Sequence, residues 1–297
     1  ELRQTAETII VHSGGTEARF DRASGALAYL SFFGLPIITE AAHSPRFSAY
    51  RAPGDNDNWL NTALLRQLET SPAACEAELD GSFAIVRVRH QLQSGQYRGH
   101  ILTSYIIDGN GTLTVDNSLE LSQLPPLLQR IGFDFEVNPA LFQVGYYGLG
   151  PFENYSDRQS AARVDQYWTT AANFYEYYQR PQFFGNRGGV RYAALLDDGD
   201  CGVLIAGDGK PFNFHVSNWT EAEVADALYP CDLPASDRVI VSLDLAQMGL
   251  GTSGCGPIPL DPYQLVNGNY QFRYRLGGQF GRDLSADGRR ISLYELL

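Results

Sequence analysis

The sequence is short of basic side chains and of long apolar runs. Lys and Arg together number 22 against 34 Asp and Glu, Lys210 is the only lysine, and the formal net charge is −12. A protein with this net negative charge repels the phosphate backbone of nucleic acids, which argues against a nucleic-acid partner. No apolar run reaches the length of about 18 residues that a bilayer requires, and the N-terminal residues show no signal-peptide pattern. We therefore expect a soluble protein with no membrane partner, and the compartment, bacterial-type cytoplasmic or periplasmic, stays open.

Patterns that mark common catalytic and metal sites are also missing. The four cysteines are widely spaced and include no Cys-x-x-Cys pair, which excludes a zinc knuckle and a dense disulfide framework. The five histidines are scattered and form no His-Glu-x-x-His pattern, and no Gly-x-Ser-x-Gly elbow occurs. The sequence therefore predicts no metal site and no catalytic residue in this chain. A pair of carboxylates for glycoside cleavage stays open, since 34 acidic residues offer many pairs.

Alternating apolar and polar residues are what the chain has in abundance. Segments such as Phe83–His90, Leu113–Leu119 and Arg238–Leu245 follow the period of two that is typical of half-buried strands. Between two such runs, residues 108–111 (Asp-Gly-Asn-Gly) supply the residues that tight hairpin turns need. Helical signals are short, and no linker or repeat divides the sequence. The pattern predicts an all-β, antiparallel sandwich formed by one domain over residues 1–297.

A first polar segment, Tyr50–Trp59, interrupts this alternation. Its candidate carbohydrate-binding residues are Arg51, Asp55, Asn56, Asp57 and Trp59. Oxygens of Asp and Asn bind sugar hydroxyl groups or a hard cation. The same residues also form turns in which side chains bond their own backbone, with the arginine paired to an aspartate. Both interpretations stay open at the level of the sequence.

Two further polar segments are Tyr146–Arg158 and Tyr177–Arg187. No helix with phosphate-loop spacing follows the glycines of the former, which disfavours a nucleotide site. Polar side chains next to an aromatic ring are typical of sugar binding, but they also form buried ion-pair networks that hold long loops. The second segment has the composition of a loop-organising element. The candidate carbohydrate-binding residues of the two segments are Glu153, Asn154, Tyr155, Arg158 and Arg187.

Four runs of residues resemble, in order and separation, the carboxy-terminal small-chain domain of glycoside hydrolase family 2 β-galactosidases. They are YRAPGDNDNW (50–59), GLGPFENYSDR (148–158), PQFFGNR (181–187) and MGLGTSGCGP (248–257). The closing run YQFRYRL (270–276) fits the same family. Together the runs extend over most of the chain, and the first two are specific enough to make chance agreement a poor explanation.

This resemblance implies a galactose mutarotase-like β-supersandwich, in agreement with the alternating pattern. It also implies that the chain, which begins at Glu1 and not at Met, is a fragment of an enzyme that hydrolyses terminal non-reducing β-D-galactose residues. The acid/base and nucleophile glutamates, which retaining hydrolysis places about 5–5.5 Å apart, would lie in an upstream barrel domain. Expected partners are those upstream domains, in a homo-oligomeric parent, and a β-galactoside. No cofactor is implied for this domain, and Mg²⁺ or Na⁺ would belong to the parent's other domains.

The resemblance further implies that the loop after Met248 forms a wall of the active-site pocket, with Gly254 and Cys255 as wall residues. Some family members have a tryptophan in this loop that stacks on substrate. Cys255 stands at its place, so the stacking platform is missing and a changed specificity is expected. Phe183 stands where the family more often has Glu, which removes one carboxylate from the candidate site.

Two alternatives accompany this interpretation. A stand-alone sugar epimerase would share the implied fold, but it needs a Glu and a His facing each other across a sheet, and no histidine here lies in such a motif. A carbohydrate-binding or purely structural module would stabilise the barrel and the oligomer without touching substrate. Cys255 in place of an aromatic residue favours this second alternative.

Overall fold

The computed structural model describes residues 1–284, 288 and 291, and the described part is built from three antiparallel β-sheets. In chain order the strands are β1 (Leu2–Gln4), β2 (Thr8–Ser13), β3 (Thr16–Asp21), β4 (Leu27–Phe32), β5 (Leu35–Ile38), β6 (Arg46–Ser48), β7 (Glu69–Asp80), β8 (Phe83–Ser94), β9 (Tyr97–Ile107), β10 (Leu113–Glu120), β11 (Arg130–Val137), β12 (Gln143–Gly150), β13 (Arg163–Thr170), β14 (Arg187–Val190), β15 (Tyr192–Leu196), β16 (Cys201–Gly207), β17 (Phe212–Ser217), β18 (Val239–Gln247) and β19 (Asn269–Phe280). Two short α-helices, α1 (Thr62–Arg66) and α2 (Glu221–Asp226), and several single 3₁₀ turns connect them.

The sheets differ in size and in how they use the sequence. The first contains β1 to β5 in chain order. The second, which we call the nine-stranded sheet, has the order β13-β12-β15-β16-β19-β10-β9-β8-β7. The third has the order β14-β17-β18-β11-β6, and the name five-stranded sheet is used below for this third sheet alone. Non-consecutive neighbours such as β10 and β19 pair strands that are far apart in sequence, so most of the architecture depends on long-range contacts.

The core lies where the inner faces of the three sheets meet. Strand β17 shows how alternation creates it, because Phe212, Phe214 and Val216 enter the main apolar cluster while His215 lies on the opposite, outer face. Phe133 of the five-stranded sheet stacks on Phe272 of the nine-stranded sheet, with ring centroids 6.5 Å apart. Burial of such rings from both sheets is the main stabilising contribution.

The outer face of the five-stranded sheet carries a second, smaller apolar cluster. Ala52, Tyr155, Phe183, Phe184 and Val224 form its buried part. These residues come from the polar segments of the sequence and from α2, so these segments cover the sheet. The fold thereby collects on one side of the molecule residues that are widely separated in the chain.

The limits of two polar segments differ from the sequence prediction. The sequence places Tyr146–Arg158 outside the alternating pattern, but its first residues belong to strand β12, which ends at Gly150. Glycines usually weaken a strand. Here the absence of a side chain at Gly148 lets the backbone of Val190 pack closely against β12, because a Cβ on Gly148 would lie 2.8 Å from the Cα of Val190. Arg187, predicted to end a loop, begins β14.

Among the described residues, no helix has the length and apolar character needed to span a membrane.

Candidate functional site

The polar segments meet on the outer face of the five-stranded sheet, and we call residues 50–59, 151–158, 177–186 and 248–257 the loop cluster. Backbone hydrogen bonds join its members directly. The Phe183 N–H donates to the carbonyl of Ala52 at 2.9 Å, and the Asn154 N–H donates to the carbonyl of Asn186 at 2.8 Å. Asp157 accepts the N–H groups of Leu250 at 3.0 Å and Gly251 at 2.7 Å. All four segments therefore form one interlocked unit.

Arg51 and Asp57 form a buried ion pair inside the loop cluster. Nη2 of Arg51 lies 3.0 Å from Oδ1 of Asp57, and both side chains are almost completely buried. The remaining guanidinium donors bind the carbonyls of Met248 at 2.7 Å and Gly249 at 3.2 Å. Arg51 therefore joins the first segment to the last, and its donors are engaged within the protein.

Asn56 connects the exposed tip of the first segment to the predicted pocket wall. Its Oδ1 accepts the N–H of Gly254 at 2.9 Å, and its Nδ2 donates to the carbonyl of Gly251 at 3.3 Å. Cys255 is exposed beside this contact. Asp55 is 73% exposed, with Nη1 of Arg180 3.7 Å from its carboxylate. Asp55, Asn56 and Arg180 border a shallow cleft open to solvent.

Glu153 is the hub of the second and third segments. Its nearly buried carboxylate accepts the N–H of Gly185 at 2.9 Å and the hydroxyl of Tyr155 at 3.3 Å. The side chains of Arg158 and Tyr178 also donate to it. With four donors inside the protein, this carboxylate has little capacity left for a sugar hydroxyl.

Asn154 and Arg187 are similarly engaged. Oδ1 of Asn154 accepts the N–H of Gly188 at 2.9 Å, and its Nδ2 donates to the carbonyl of Leu149 at 3.0 Å. Arg187 is buried, with its guanidinium 4.8 Å from the centroid of the Phe174 ring and its Nε donating to the Tyr146 hydroxyl at 3.1 Å. Asn154 therefore holds neighbouring backbone in place, and Arg187 packs against the aromatic side chains beneath the loop cluster.

Arg158 is the predicted residue of this group that reaches the surface. Its side chain is 53% exposed and its guanidinium lies 5.3 Å from the centroid of the Tyr155 ring. A cleft lies on each side of it, one bordered by Gly54 and Gln182 and the other by Phe152. Trp59 is half-buried, and its indole N–H has no hydrogen-bond partner among the described residues.

A buried polar layer that the sequence did not reveal supports the loop cluster from below. Glu221, the first residue of α2, accepts the N–H of Ala52 at 2.6 Å, and its carboxylate lies 4.0 Å from Nε2 of His215. Arg130 donates to Asp244 at 2.8 Å and to Asp134 at 2.6 Å. The signal for His215 and Asp244 in the sequence was only their place on the polar side of alternating strands.

Burial controls the charges in this layer. Desolvation raises the pKa of Glu221 to about 7, against the opposing field of Arg130. Desolvation likewise raises the pKa of Asp244 to about 6, and lowers that of His215 to about 3 with further help from Arg130 and Arg187. His215 is therefore neutral, enclosed by the rings of Phe183 and Phe184 at centroid distances of 5.0 and 5.1 Å.

Metal binding finds little support in this geometry. The carboxylates of Asp55 and Asp57 do not converge, because Asp57 faces Arg51 in the interior while Asp55 is exposed. Within residues 1–284, 288 and 291, no three His, Cys, Asp or Glu side chains gather in an arrangement that could hold an ion. The loop cluster offers instead a rigid surface with exposed Cys255 and Arg158 and half-buried Asn56.

Comparison with solved structures defines the fold class. A galactose mutarotase-like protein from Clostridium acetobutylicum matches 95% of this chain and 98% of its own with a TM-score of 0.52 at 11% identity. A galactose mutarotase related enzyme from Lactobacillus acidophilus matches 93% of this chain and 99% of its own with a TM-score of 0.51 at 8% identity. The chain therefore has the galactose mutarotase-like fold, and the predicted fold class is confirmed.

Comparison of sequences defines the family. The family model described as β-galactosidase small chain matches residues 12–276, so the chain belongs to that family, as its motifs indicated. The β-galactosidase of Actinobacillus pleuropneumoniae is 28% identical over 291 residues, which are 93% of this chain and 27% of the relative. The β-galactosidase of Oenococcus oeni is 30% identical over 270 residues, 85% of this chain and 25% of the relative. The chain thus spans about a quarter of the length of these relatives.

Proposed function

We propose that this chain acts as the carboxy-terminal domain of a β-galactosidase that hydrolyses terminal non-reducing β-D-galactose residues. Membership of the small-chain family supports this proposal, together with relatives about four times longer that carry the name β-galactosidase. In this proposal the catalytic glutamates and any Mg²⁺ or Na⁺ belong to other domains of a homo-oligomeric parent. The domain contributes a wall to their pocket.

The contact between Asn56 and Gly254 is the observation that carries the assignment of the wall. It fixes the exposed loop around Gly254 and Cys255 to the tip of the first segment. Beneath that tip, Arg51 and Glu221 hold the segment through buried contacts. A surface loop supported in this way keeps its shape when a substrate approaches, which is what a pocket wall requires.

Substitution of Asn56 in the full-length parent enzyme tests whether the loop around Gly254 and Cys255 forms a wall of the substrate pocket. Asn56→Ala removes both contacts to the Gly251–Gly254 backbone, so the loop loosens. We expect kcat/KM for an aryl β-galactoside to fall by about tenfold, which corresponds to loss of one or two hydrogen bonds of preorganisation. The thermal midpoint is expected to change little because Asn56 is at the surface.

Asn58→Ala is the matched control, because Asn58 is exposed in the same turn and its side chain makes no hydrogen bond among the described residues. Its kcat/KM should equal that of the unmodified enzyme. Equal kcat/KM values for Asn56→Ala and Asn58→Ala would contradict the proposal that this loop forms a wall of the pocket.

The burial of Arg51, Asn154 and Arg187 favours a second candidate, a purely structural module. In that case the loop cluster only stabilises the domain and the oligomer. Asn56→Ala would then leave kcat/KM unchanged, whereas disruption of Arg51 would lower the thermal midpoint. The two candidates therefore differ in the kinetic readout of a surface variant.

A further inference from the structure

A groove of about 400 Å³ lies on the outer face of the nine-stranded sheet, away from the loop cluster. Across the sheet, Gln91, His100 and Glu120 are direct neighbours on β8, β9 and β10. Two residues further along, Arg89, Leu102 and Ser118 form a second row on the same face. We call the recess lined by these six residues the sheet groove.

An irregularity in the edge strand closes one side of the sheet groove. The pairing of β7 with β8 shifts between Pro72 and Ala74, which leaves Ala73 as an extra residue bordering the recess. Such bulges bend a strand and increase its local twist. Elsewhere on this sheet face, Leu284 and Ile291 pack on Ala194 and Leu204 and cover that region. The sheet groove is the open part.

The polar side chains of the sheet groove are free to bind. In the described part of the chain, Arg89, Gln91, His100, Ser118 and Glu120 make no side-chain hydrogen bond and no ion pair. The adjacent part of the same face behaves differently. There Arg273 bridges Asp116 at 2.5 Å and Asp208 at 3.2 Å. Arg273 and its two aspartates thus pair with each other, whereas the five polar side chains of the groove pair with no described residue.

The charges and donors of the sheet groove select the chemistry of a ligand. Arg89 and Glu120 cancel each other's charge, so an anion meets a carboxylate and a cation meets a guanidinium. The groups present both donate and accept hydrogen bonds, and Leu102 adds an apolar contact. A neutral molecule with many hydroxyl groups and apolar C–H faces satisfies all of these. The volume falls in the range of small-molecule sites.

We propose that the sheet groove binds a neutral saccharide of one or two rings through Arg89, Gln91, His100, Ser118 and Glu120. The core of the molecule separates this site from the loop cluster, because the groove lies on the outer face of the nine-stranded sheet and the cluster on the outer face of the five-stranded sheet. The proposal is therefore independent of the proposed pocket wall, and either can fail without the other.

Calorimetric titration of the 297-residue chain with galactose, lactose and maltose tests the groove. We expect saturable binding of at least one sugar. His100→Ala and Glu120→Gln should each weaken it about tenfold, the effect of losing one strong hydrogen bond. Both residues are exposed on their strands, so the variants should keep the unfolding midpoint of the parent chain.

Matched controls locate the bound sugar. His12→Gln and Asp198→Asn remove a histidine and a carboxylate at exposed positions outside the groove, and these variants should bind as the unmodified chain does. Asn56→Ala and Arg158→Ala, in the loop cluster, report any sugar that binds there and not in the sheet groove. Absence of binding for all three sugars would overturn the proposal. So would binding that is lost in the loop-cluster variants and retained in His100→Ala and Glu120→Gln.

Discussion

Glu221 combines two roles that conflict electrostatically. Its carboxylate accepts the N–H of Ala52 and so holds the first segment of the loop cluster, yet it does so in the interior beside neutral His215. Arg130 supplies a compensating positive charge, but it is already engaged with Asp134 and Asp244. Burial without a dedicated partner makes the ionised form of Glu221 costly.

A pH dependence of stability follows from Glu221. Its pKa is about 7 in the folded chain against 4.5 for the ordinary group, so between these values the folded state retains a proton that the unfolded state has lost. Stability therefore falls as the pH rises through this window. The contribution is about 3 kcal/mol, and Glu221→Gln should remove it. Urea unfolding of both chains from pH 4.5 to 8 measures the difference.

The glutamine variant keeps an oxygen for the Ala52 N–H, and titration of His215 and Asp244 occurs in both chains. We expect the unmodified chain to lose stability relative to Glu221→Gln as the pH rises. Glu69→Gln, at an exposed position of β7, should give a parallel profile to the unmodified chain. A constant difference between the chain and Glu221→Gln across the range would contradict the burial of an ionisable Glu221.

A second prediction concerns the buried ion pair of Arg51 and Asp57. Arg51→Ala leaves Asp57 buried without its partner and leaves the carbonyls of Met248 and Gly249 without donors. We expect a loss of about 3–5 kcal/mol in the free energy of unfolding, measured with urea. Arg180→Ala, whose side chain is 66% exposed, should cost less than about 1 kcal/mol. A loss below about 1 kcal/mol in Arg51→Ala would show that the pair is dispensable.

At the scale of elements, the close approach of β12 to β14 positions the second segment. A Cβ at residue 148 would lie 2.7 Å from Cγ2 of Val190 and 2.8 Å from its Cα, and backbone cannot move aside easily. Gly148→Ala should therefore destabilise the chain by about 1–3 kcal/mol. Gly109→Ala is the control, because its added methyl group meets nothing within 4 Å. Thermal unfolding compares the two, and equal midpoints would contradict the tight contact.

The elements that could be predicted from the sequence were those with regular alternation. Strands β8, β10 and β18 have one apolar face and were predicted near their observed positions. The edge strand β7 was missed because its residues are mostly exposed and include Pro72. Strand β12 was missed because its glycines resemble a loop. Edge position and close packing depend on neighbours that are distant in sequence.

The candidate site was predictable as a set of segments and not as a set of contacts. Charge and aromatic content marked Arg51 and Glu153, but only the fold shows that both are enclosed. The supporting residues His215 and Glu221 carry no local motif, because their partners come from other strands and loops. Exposure, which separates Arg158 and Asn56 from the enclosed residues, is likewise a property of the assembled chain.

At the scale of the whole molecule, two sheet faces present different surfaces. One carries the interlocked loop cluster, and the other carries the sheet groove beside a region covered by Leu284 and Ile291. The net charge of −12 keeps such a molecule apart from polyanions. For the molecule as a whole, we propose that this chain completes an active site whose catalytic residues lie in another domain.

Hydrolysis of a nitrophenyl β-galactoside tests that claim most directly. The 297-residue chain is assayed alone and after mixing with a separately expressed upstream segment of the parent enzyme that contains the barrel. We expect no turnover by the chain or by the upstream segment alone, and turnover when the two are combined. Turnover by the chain alone at a rate near that of a whole β-galactosidase would contradict it, because a catalytic pair would then lie within these residues.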